Sequence, residues 1–317
     1  MNREERAGKN EPERMSRRRH GKFINGIVLL DKPAGITSNR ALQIARRLFC
    51  ARKAGHTGSL DPFATGMLPI CFGEASKTAA FMIDSDKTYR ASARLGVATD
   101  SGDIDGSIIN ELEVPALTEQ VVKTVFDSFT GEIEQIPPMY SALKHEGQPL
   151  YKLAREGKTI ERKSRKRVIH YLKLISVDDK FLEFEVKCSK GTYIRTLAED
   201  MAVALGSCAH LFSLRRLSVD PFDPALMVSL DQLEKDAQAG TIDQHLLPLD
   251  AGLPDWPLVC LEARQALGFK NGNPQNHTDG KTGWVRVCDQ DQRPLGLGEC
   301  TEEGLLKPKR VYNLEEE

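Results

Sequence analysis

The sequence predicts an α+β protein in which a larger domain, built on a mixed β-sheet, precedes a small β-rich domain. Strand-like and helix-like segments alternate between Gly26 and Gly206 without the regular strand–helix–strand order of a parallel α/β protein. Between Leu247 and Pro257, three prolines and two aspartates separate these segments from short apolar runs that lie between Gly, Asn and Asp turns. A chain of 317 residues is also long enough for two domains.

The strands of the larger domain are predicted from apolar runs and from alternation. Ile27–Leu30 is apolar throughout and ends at the turn 31–35, which indicates a strand. Lys87–Val97 and Phe181–Cys188 alternate, which is typical of strands with one buried face. The side chains expected to face the core are Tyr89, Ala91, Ala93, Leu95 and Val97 in one strand, and Leu182, Phe184, Val186 and Cys188 in the other.

The helices are predicted from apolar residues three and four positions apart. Thr37 or Ser38 is the expected N-cap of the first helix, and Thr118 begins a second helix that Gly131 ends. A third helix is expected over 192–205, before Gly206. The predicted apolar faces are Leu42, Ala45 and Phe49, then Val121, Val122, Val125 and Phe129, and finally Ile194, Leu197, Ala198, Met201 and Leu205.

Composition argues against membrane, secreted and metal-clustered classes of protein. Hydrophobic residues make up 40 % and charged residues 28 %, as in soluble proteins with a proper core. No apolar run reaches the length of about 18 residues that a membrane helix needs, and the N-terminus lacks the apolar stretch of a secretory signal. The seven cysteines are scattered without a CxxC pair, which suits a reducing cytoplasm.

The charge is distributed unevenly, although the net charge is only −1. Between Lys144 and Arg167 there are nine Lys or Arg against three Glu. Such a segment either binds a polyanion through phosphate contacts or is an ordinary solvated surface. Residues 1–22 also carry eight basic against four acidic residues, and they are expected to form a polar, disordered tail in which translation could start at Met1 or Met15.

The segment Gly55–Ile70 has the densest chemical content of the chain. Three glycines and two prolines in sixteen residues predict an irregular loop rather than a helix or a central strand. The loop offers one imidazole, His56, and one carboxylate, Asp61. On its own, Asp61 before a proline is either a turn residue or a catalytic acid, and His56 is either a packing residue or a functional one. No histidine pair, P-loop, GxGxxG or GxSxG accompanies them, so neither a metal nor a cofactor is predicted.

Six ordered motifs resemble those of the TruB family of pseudouridine synthases. The segment 55–70 is similar to the family signature GHTGxLDPxATGxLPI, with Ser59 and Phe63 at its variable positions. The other five motifs are 31–38 (DKPAGITS), 87–90 (KTYR), 135–144 (QIPPMYSALK), 188–195 (CSKGTYIR) and 214–217 (LRRL). The resemblance covers about Gly26 to Val219, and the C-terminal stretch is similar to the PUA-like RNA-binding domain of bacterial members.

The resemblance implies roles in pseudouridine formation for five residues. Asp61 matches the catalytic aspartate, which acts on the sugar, on the base or through elimination to a glycal. Arg195 matches the arginine that pairs with it, although an i,i+4 pair with Glu199 is the alternative. Tyr89 matches the active-site tyrosine, with strand core as its alternative. Tyr193 and Leu214 match residues that line the uracil pocket, and for Leu214 plain core packing is the alternative.

The resemblance also implies an RNA substrate, because the target uridine must be flipped out of its loop. His56 matches the residue that fills the vacated place. The larger domain is expected over 23–248, with a basic insertion at about 139–170 that closes on the T loop, and the PUA-like domain over 253–317. Phosphate contacts are expected from Lys144, Lys163, Arg165, Lys166 and Arg167.

The function implied by the resemblance is isomerisation of uridine-55 in the T loop of tRNA, without a guide RNA, a cofactor or a protein partner. The expected protein is a cytoplasmic monomer, and a tRNA-folding activity could accompany catalysis. Two alternatives are the RNA-guided, rRNA-modifying branch of the family and an RNA-binding module without catalysis. The basic insertion and the short C-terminal domain speak against the first, and the presence of Asp61, Tyr89 and Arg195 speaks against the second.

Overall fold

The computed structural model describes residues 21–277 and 279–314, and it has the predicted α+β architecture. Within these ranges the helices are α1 (Ser38–Leu48), α2 (Ala79–Ile83), α3 (Glu119–Ser128), α4 (Leu150–Arg155), α5 (Ile194–Ala204), α6 (Leu230–Ala239) and α7 (Ala263–Lys270). The strands before residue 150 are β1 (Gly26–Lys32), β2 (Ala54–His56), β3 (Thr65–Phe72), β4 (Lys87–Leu95), β5 (Val97–Thr99), β6 (Ile108–Glu111), β7 (Gly131–Gln135), β8 (Lys144–His145) and β9 (Gln148–Pro149). The later strands are β10 (Arg165–Val177), β11 (Phe181–Cys188), β12 (Ala209–Val219), β13 (Val228–Ser229), β14 (Leu258–Leu261), β15 (Gln275–Asn276), β16 (Gly283–Asp289), β17 (Pro294–Cys300) and β18 (Leu305–Val311).

The larger sheet is mixed and carries the order β13-β1-β3-β12-β4-β11-β10-β7, with β2 paired to β3. The pairs β1–β13 and β3–β12 are parallel, and the other pairs are antiparallel. The parallel pair β3–β12 lies in the middle of the sheet and is only two residues long, Thr65 and Gly66 against Arg215 and Arg216. This short contact brings residues from distant parts of the sequence next to each other.

The larger sheet is covered on both faces at β1 and β3. In β1, Val28 and Leu30 pack with α1 on one face, while Ile27 and Leu29 belong to a separate cluster on the other. A strand buried on both faces is apolar throughout rather than alternating, which explains its sequence. The alternation of β4 and β11 is confirmed as well, since their predicted inward residues up to Leu95 and Cys188 are buried.

The prediction that 55–70 contains no central strand was wrong. Only residues 57–64 are irregular, whereas β3 runs through Gly66 and Pro69 in the middle of the sheet. Gly66 is needed because its φ is +102° and the backbone of Arg216 lies against it, where a Cβ would come within 2.1 Å of the Arg216 carbonyl oxygen. Pro69 is accommodated opposite Leu29, and its carbonyl still accepts a hydrogen bond from the Thr57 N–H.

Two predicted apolar faces needed smaller corrections. Val97 does not continue β4, because Gly96 has a φ of +81° and the chain turns into the separate strand β5. In α3 the N-cap Thr118 is confirmed, but the helix ends at Ser128 and Val121 is exposed. The buried residues of that helix are Val122 and Phe126, as the spacing of four also allows.

A second, five-stranded sheet of order β14-β16-β17-β18-β15 forms after residue 257. It agrees with the predicted β-rich C-terminal part, which in addition contains the helix α7. Of the basic insertion predicted at 139–170, residues from Arg165 onward belong to β10 of the larger sheet. Of the predicted N-terminal tail, residues 1–20 lie outside the described residues, and Lys22 pairs with Ala51.

Candidate active site

Asp61 lies in the irregular segment 57–64. Hydrogen bonds from two side chains elsewhere in the fold hold the backbone of this segment in place. The ammonium of Lys32, fully buried at the end of β1, donates to the carbonyl oxygens of Pro33 (2.7 Å), Pro62 (3.2 Å) and Ala64 (2.7 Å). The hydroxyl of Ser38 accepts from the Leu60 N–H at 2.7 Å and donates to the Leu60 carbonyl at 2.9 Å. Because the residues on both sides of Asp61 are fixed, the direction of its carboxylate is set by the fold.

Arg195, near the start of α5, is the partner of Asp61. Its Nε lies 3.1 Å from Asp61 Oδ2, and its Nη1 lies 3.3 Å from Asp103 Oδ2. The guanidinium also donates to the carbonyl oxygens of Ser101 and Tyr140, each at 2.7 Å. The alternative pairing with Glu199 is wrong, because the guanidinium makes its ion pairs with the two aspartates instead. Two carboxylates and two carbonyls therefore lock one buried guanidinium in place.

The two aspartates differ in what else they contact. The side chain of Asp61 is 38 % exposed, whereas that of Asp103 is 7 % exposed. Asp103 Oδ1 accepts further hydrogen bonds from the Ser101 hydroxyl (2.5 Å) and the Asp105 N–H (3.2 Å). Burial raises the pKa of Asp61, and the charge of Arg195 is the strongest influence that opposes this rise. Asp61 is thus the member of the pair that an incoming molecule can touch.

Tyr89 and Arg216 stand side by side on β4 and β12, where they are register partners. Arg216 is 1 % exposed, and it donates to the carbonyl oxygens of Met67 (2.6 Å) and Gly58 (3.1 Å). Burial raises the pKa of Tyr89, with Arg216 opposing the rise, so the phenol is neutral at pH 7. Arg216 links the sheet to both ends of the segment that carries Asp61.

His56 ends β2 and is half-buried. Its Nδ1 accepts a hydrogen bond from the Gly58 N–H at 3.4 Å. Burial, and then the positive charge of Arg216, lowers the pKa of His56 below 6.5, so its imidazole is neutral at pH 7. A neutral ring held on a fixed turn is a suitable group to stack on or replace a nucleobase.

Tyr193 and Leu214 complete the surroundings. Tyr193 is held through its backbone, because its N–H donates to Gln135 Oε1 (2.8 Å) and its carbonyl accepts from Gln135 Nε2 (3.0 Å). Leu214 is 7 % exposed and belongs to the same apolar cluster as Leu60 and Tyr89. Core packing is therefore correct for both Leu214 and Tyr89, and it does not conflict with a place beside the reacting groups.

The predicted phosphate-binding residues lie in two places. Lys144 is exposed on the small hairpin of β8 and β9. Lys163, Arg165, Lys166 and Arg167 follow one another at the start of β10. Lys166 forms an exposed ion pair with Glu132 (2.7 Å), and Arg167 donates to the carbonyl of Gly191 (2.9 Å), two residues before Tyr193. Through Arg167 and Gly191, the fold therefore brings the start of β10 close to Tyr193, which precedes Arg195 at the start of α5.

The sequence prediction missed Asp103 and Arg216. Asp103 belongs to the acidic run 100–105, which is typical of a surface turn, and its partner Arg195 is far away in the sequence. Arg216 lies within the quoted motif at 214–217, but no role was assigned to it. The signal that could have found Asp103 was the combination of an acidic turn with a predicted arginine that needs an anion.

The described residues contain no group of three or more His, Cys, Asp or Glu side chains placed to hold a metal ion. Among the same residues, no helix combines the length and the apolar character that a membrane span requires.

Three family models match successive parts of the chain. Residues 46–194 match the model described as TruB family pseudouridylate synthase (N terminal domain). Residues 195–254 match the tRNA pseudouridylate synthase B C-terminal domain, and residues 257–312 match pseudouridine synthase II TruB, C-terminal. Together the three matches cover most of the sequence.

Proteins named tRNA pseudouridine synthase B are similar over nearly the whole length. The protein from Chromohalobacter salexigens is 48 % identical over 301 residues, which cover 94 % of this chain and 98 % of that protein. The protein from Pseudomonas aeruginosa is 46 % identical over 292 residues, which cover 91 % and 96 %.

Solved structures with the same fold are more distant in sequence. A chain of a Cbf5-Nop10-Gar1 complex has a TM-score of 0.68 at 23 % identity and covers 90 % of this chain and 84 % of its own. A chain of an H/ACA RNP bound to a substrate RNA containing 2′-deoxyuridine has a TM-score of 0.69 at 19 % identity and covers 96 % and 93 %. At this identity the two structures establish the fold only.

Proposed function

The chain belongs to the TruB family of pseudouridylate synthases and is a tRNA-modifying isomerase, and from this premise we propose that it converts uridine-55 of the T loop into pseudouridine without a guide RNA or a protein partner. The observation that carries the proposal is the Asp61–Arg195 pair. It presents one partly exposed carboxylate, fixed by a buried guanidinium, on a rigid turn. The expected setting is the cytoplasm, with the protein acting as a monomer.

The reaction needs a carboxylate at the junction of sugar and base. The bond between N1 of uracil and C1′ of ribose breaks, a bond between C5 and C1′ forms, C5 loses a proton and N1 gains one. Electrons and atoms balance without an oxidant, a reductant or an energy source. Asp61 supplies the negative charge at C1′, and Arg195 keeps that carboxylate ionised and correctly oriented although it is partly buried.

The residues around Asp61 suit a uracil ring. Tyr89 is neutral and buried, so it offers a flat apolar face, and Leu60 and Leu214 lie in the same cluster. Tyr193 closes this group from the start of α5, where Gln135 holds its backbone. We assign catalytic contacts to Asp61, Tyr89 and Arg195, and uracil contacts to Tyr193 and Leu214.

The target base must leave its loop before it can reach Asp61, and flipping it costs about a few kcal/mol. His56 lies five positions before Asp61 on the same anchored turn, and its neutral ring suits the place that the base leaves. Phosphates flanking the loop are assigned to Lys144, Lys163, Arg165, Lys166 and Arg167. The part of the chain at 253–317 is assigned as a PUA-like RNA-binding domain next to a catalytic domain at 23–248.

Replacement of Asp61 by asparagine tests the proposal. Asp61→Asn keeps the shape of the side chain, but the amide is neither an anion nor a nucleophile. We expect the variant to bind an unmodified T stem-loop transcript as the wild type does and to form no pseudouridine in a single-turnover assay. Substantial product from the variant would remove Asp61 from its role.

The same assay separates the alternatives. Wild-type protein that modifies the stem-loop alone, at the T-loop uridine, supports a stand-alone enzyme. Product that forms only after a guide RNA is added would favour the RNA-guided branch of the family. Tight binding without product in either case would favour an RNA-binding module.

A further inference from the structure

We propose that the outward face of α1 is a second RNA-binding surface, which contacts phosphates of the tRNA beside the target loop. The sequence from Pro33 to Leu60 contains five Lys or Arg and no Asp or Glu. The segment 144–167, by contrast, mixes nine basic residues with three Glu. The stretch around α1 therefore carries five positive charges with no acidic residue among them, and the inference rests on the function proposed above.

The basic residues of α1 share one face of the helix. Ser38, Ala41, Leu42 and Ala45 are buried, and successive residues turn by about 100°. On the opposite side this spacing places Arg40 and Arg47, together with Asn39 and Gln43, and it places Arg46 on the flank of the helix. The three arginines are exposed, and Arg40 and Arg47, seven positions apart, fall on the same line along the helix. The solvent face of α1 is thus built from arginines and neutral amides.

No ion pair neutralises these three arginines among the residues that the structure describes, whereas Lys158 and Lys166 are paired with Glu156 and Glu132. The helix dipole accounts for Arg46 and Arg47, since they lie in the last turn of α1. It does not account for Arg40, which lies in the first turn, where a positive charge is unfavourable and no acidic residue compensates it. An anionic partner outside the protein would explain all three.

The position of α1 relative to the active site supports RNA as that partner. Its first residue, Ser38, is hydrogen-bonded to Leu60, directly before Asp61, and the helix leads away from there over about 16 Å. Exposed Lys53 then precedes β2 and His56. On the other side of the active site, Arg167 contacts Gly191 near Tyr193. An RNA whose uridine lies at Asp61 would meet basic residues on both sides.

The test replaces Arg40, Arg46 and Arg47 together by glutamine, which has a similar helix propensity. Binding to an unmodified full-length tRNA transcript is measured against salt concentration in an Asp61→Asn background, so that turnover does not distort the isotherm. Each phosphate contact contributes a slope of about −0.7 to −0.9 in log K against log [salt]. We expect the triple variant to have a slope shallower by between about two and three units, and to need more tRNA for half-maximal binding at low salt.

The matched control removes the same charge at the far end of the sheet, with Arg94, Lys173 and Lys180 replaced by glutamine. These residues are exposed, lie on or next to β4, β10 and β11, and flank the turn of the β10–β11 hairpin. The control is expected to keep the wild-type slope. If the α1 variant and the wild type have equal slopes while the wild-type enzyme still forms pseudouridine, only the proposal that α1 binds RNA is overturned. A wild-type enzyme that forms no pseudouridine would instead overturn the proposed function on which the surface rests.

Discussion

A single guanidinium binds both carboxylates of the candidate active site. Arg195 is 4 % exposed, and it binds Asp61 and Asp103 together with two carbonyl oxygens. The two carboxylates differ in their other contacts, because Asp103 accepts further hydrogen bonds from Ser101 and Asp105. A lysine could not make the same set of contacts, because its ammonium has three donors and no planar fork. The arrangement leaves the carboxylate of Asp61 partly exposed, while the charge of Arg195 opposes the rise in its pKa that burial causes.

Glu199 adds a titratable group one turn beyond Arg195. Its carboxyl packs against Gly102, between Ser101 and Asp103, since a Cβ at Gly102 would lie 2.4 Å from Glu199 Oε1. Burial, and then the neighbouring Asp200, raises the pKa of Glu199 to about 7, while Arg195 opposes the rise. The pKa of Glu199 in the folded protein is thus above the unfolded value of 4.5. Between pH 4.5 and about pH 7 the folded protein therefore binds more protons than the unfolded protein does.

The pH dependence of stability follows from this shift. The contribution of Glu199 to the free energy of unfolding is fully present below about pH 4.5 and is lost as the pH rises through about 7. We expect Glu199→Gln to match the wild type at pH 5 and to be more stable by about 1–2 kcal/mol at pH 8. Urea unfolding of both proteins from pH 5 to 8 measures the difference. A constant difference over this range would show that Glu199 does not titrate there.

At the scale of residues, the sequence predicts what lies in motifs and misses what the fold brings together. Asp61 and Arg195 were both identified, and the structure places them 3.1 Å apart. Asp103 could not be identified, because nothing in an acidic turn shows that it will be buried beside an arginine of α5. The alternative pair of Arg195 with Glu199 rested only on the spacing of four residues, and the guanidinium contacts Asp61 instead, as the resemblance implied.

The central element of the catalytic sheet is β3, whose glycine and proline content argued against a strand. Local propensity was overridden because β3 is buried and pairs with β1 over its whole length. The unusual backbone of this strand falls at Gly66, which has a φ of +102° and contacts the backbone of Arg216 directly. The guanidinium of Arg216 in turn holds Gly58 and Met67, so Gly66 supports the turn that carries Asp61.

Gly66→Ala is therefore expected to be more costly than an ordinary glycine replacement. A Cβ would lie 2.1 Å from the Arg216 carbonyl oxygen, and strain from the positive φ is added to this overlap. We expect a loss of about 3 kcal/mol or more in the free energy of unfolding, measured by chemical denaturation. Gly240→Ala is the matched control, because its φ is +74° but nothing lies within 4 Å of the added Cβ, so only about 1 kcal/mol should be lost. If both variants lose the same free energy of unfolding, the backbone of β12 can move away from the added Cβ at little cost.

Elements with one buried face were the easiest to predict. β4 and β11 alternate in sequence and in burial, because each has one wall on the core. α3 was predicted with its face rotated, since Val121, Val122 and Val125 are equally apolar and only the position of the sheet selects Val122 and Phe126. Periodicity identifies an element, while its packing partner decides which residues are buried.

At the scale of the whole molecule, the two sheets are joined by contacts that cannot be predicted from the sequence. Phe81 of α2 packs against Trp256 and Trp284, with ring centroids 4.8 Å and 5.0 Å away. Lys77 donates to the carbonyl of Val311 (2.6 Å), and the Asn313 N–H donates to Glu74 (2.8 Å). The change of pattern at 247–257 showed where the second part begins, but these partners are too far apart in sequence to be paired from it.

Phe81 should therefore hold the C-terminal sheet in place. Phe81→Ala leaves a gap between Trp256 and Trp284, which are the two tryptophans of the chain, so fluorescence reports on this contact alone. We expect a red-shifted emission in the native state and a free energy of unfolding lower by about 1–3 kcal/mol, because a large, partly buried ring is removed. Phe212→Ala is the matched control, since that ring packs on Phe181, separate from the tryptophans, and should leave the emission unchanged. Wild-type emission and stability in Phe81→Ala would show that other contacts, such as those of Lys77 and Glu74, hold the two sheets together without this cluster.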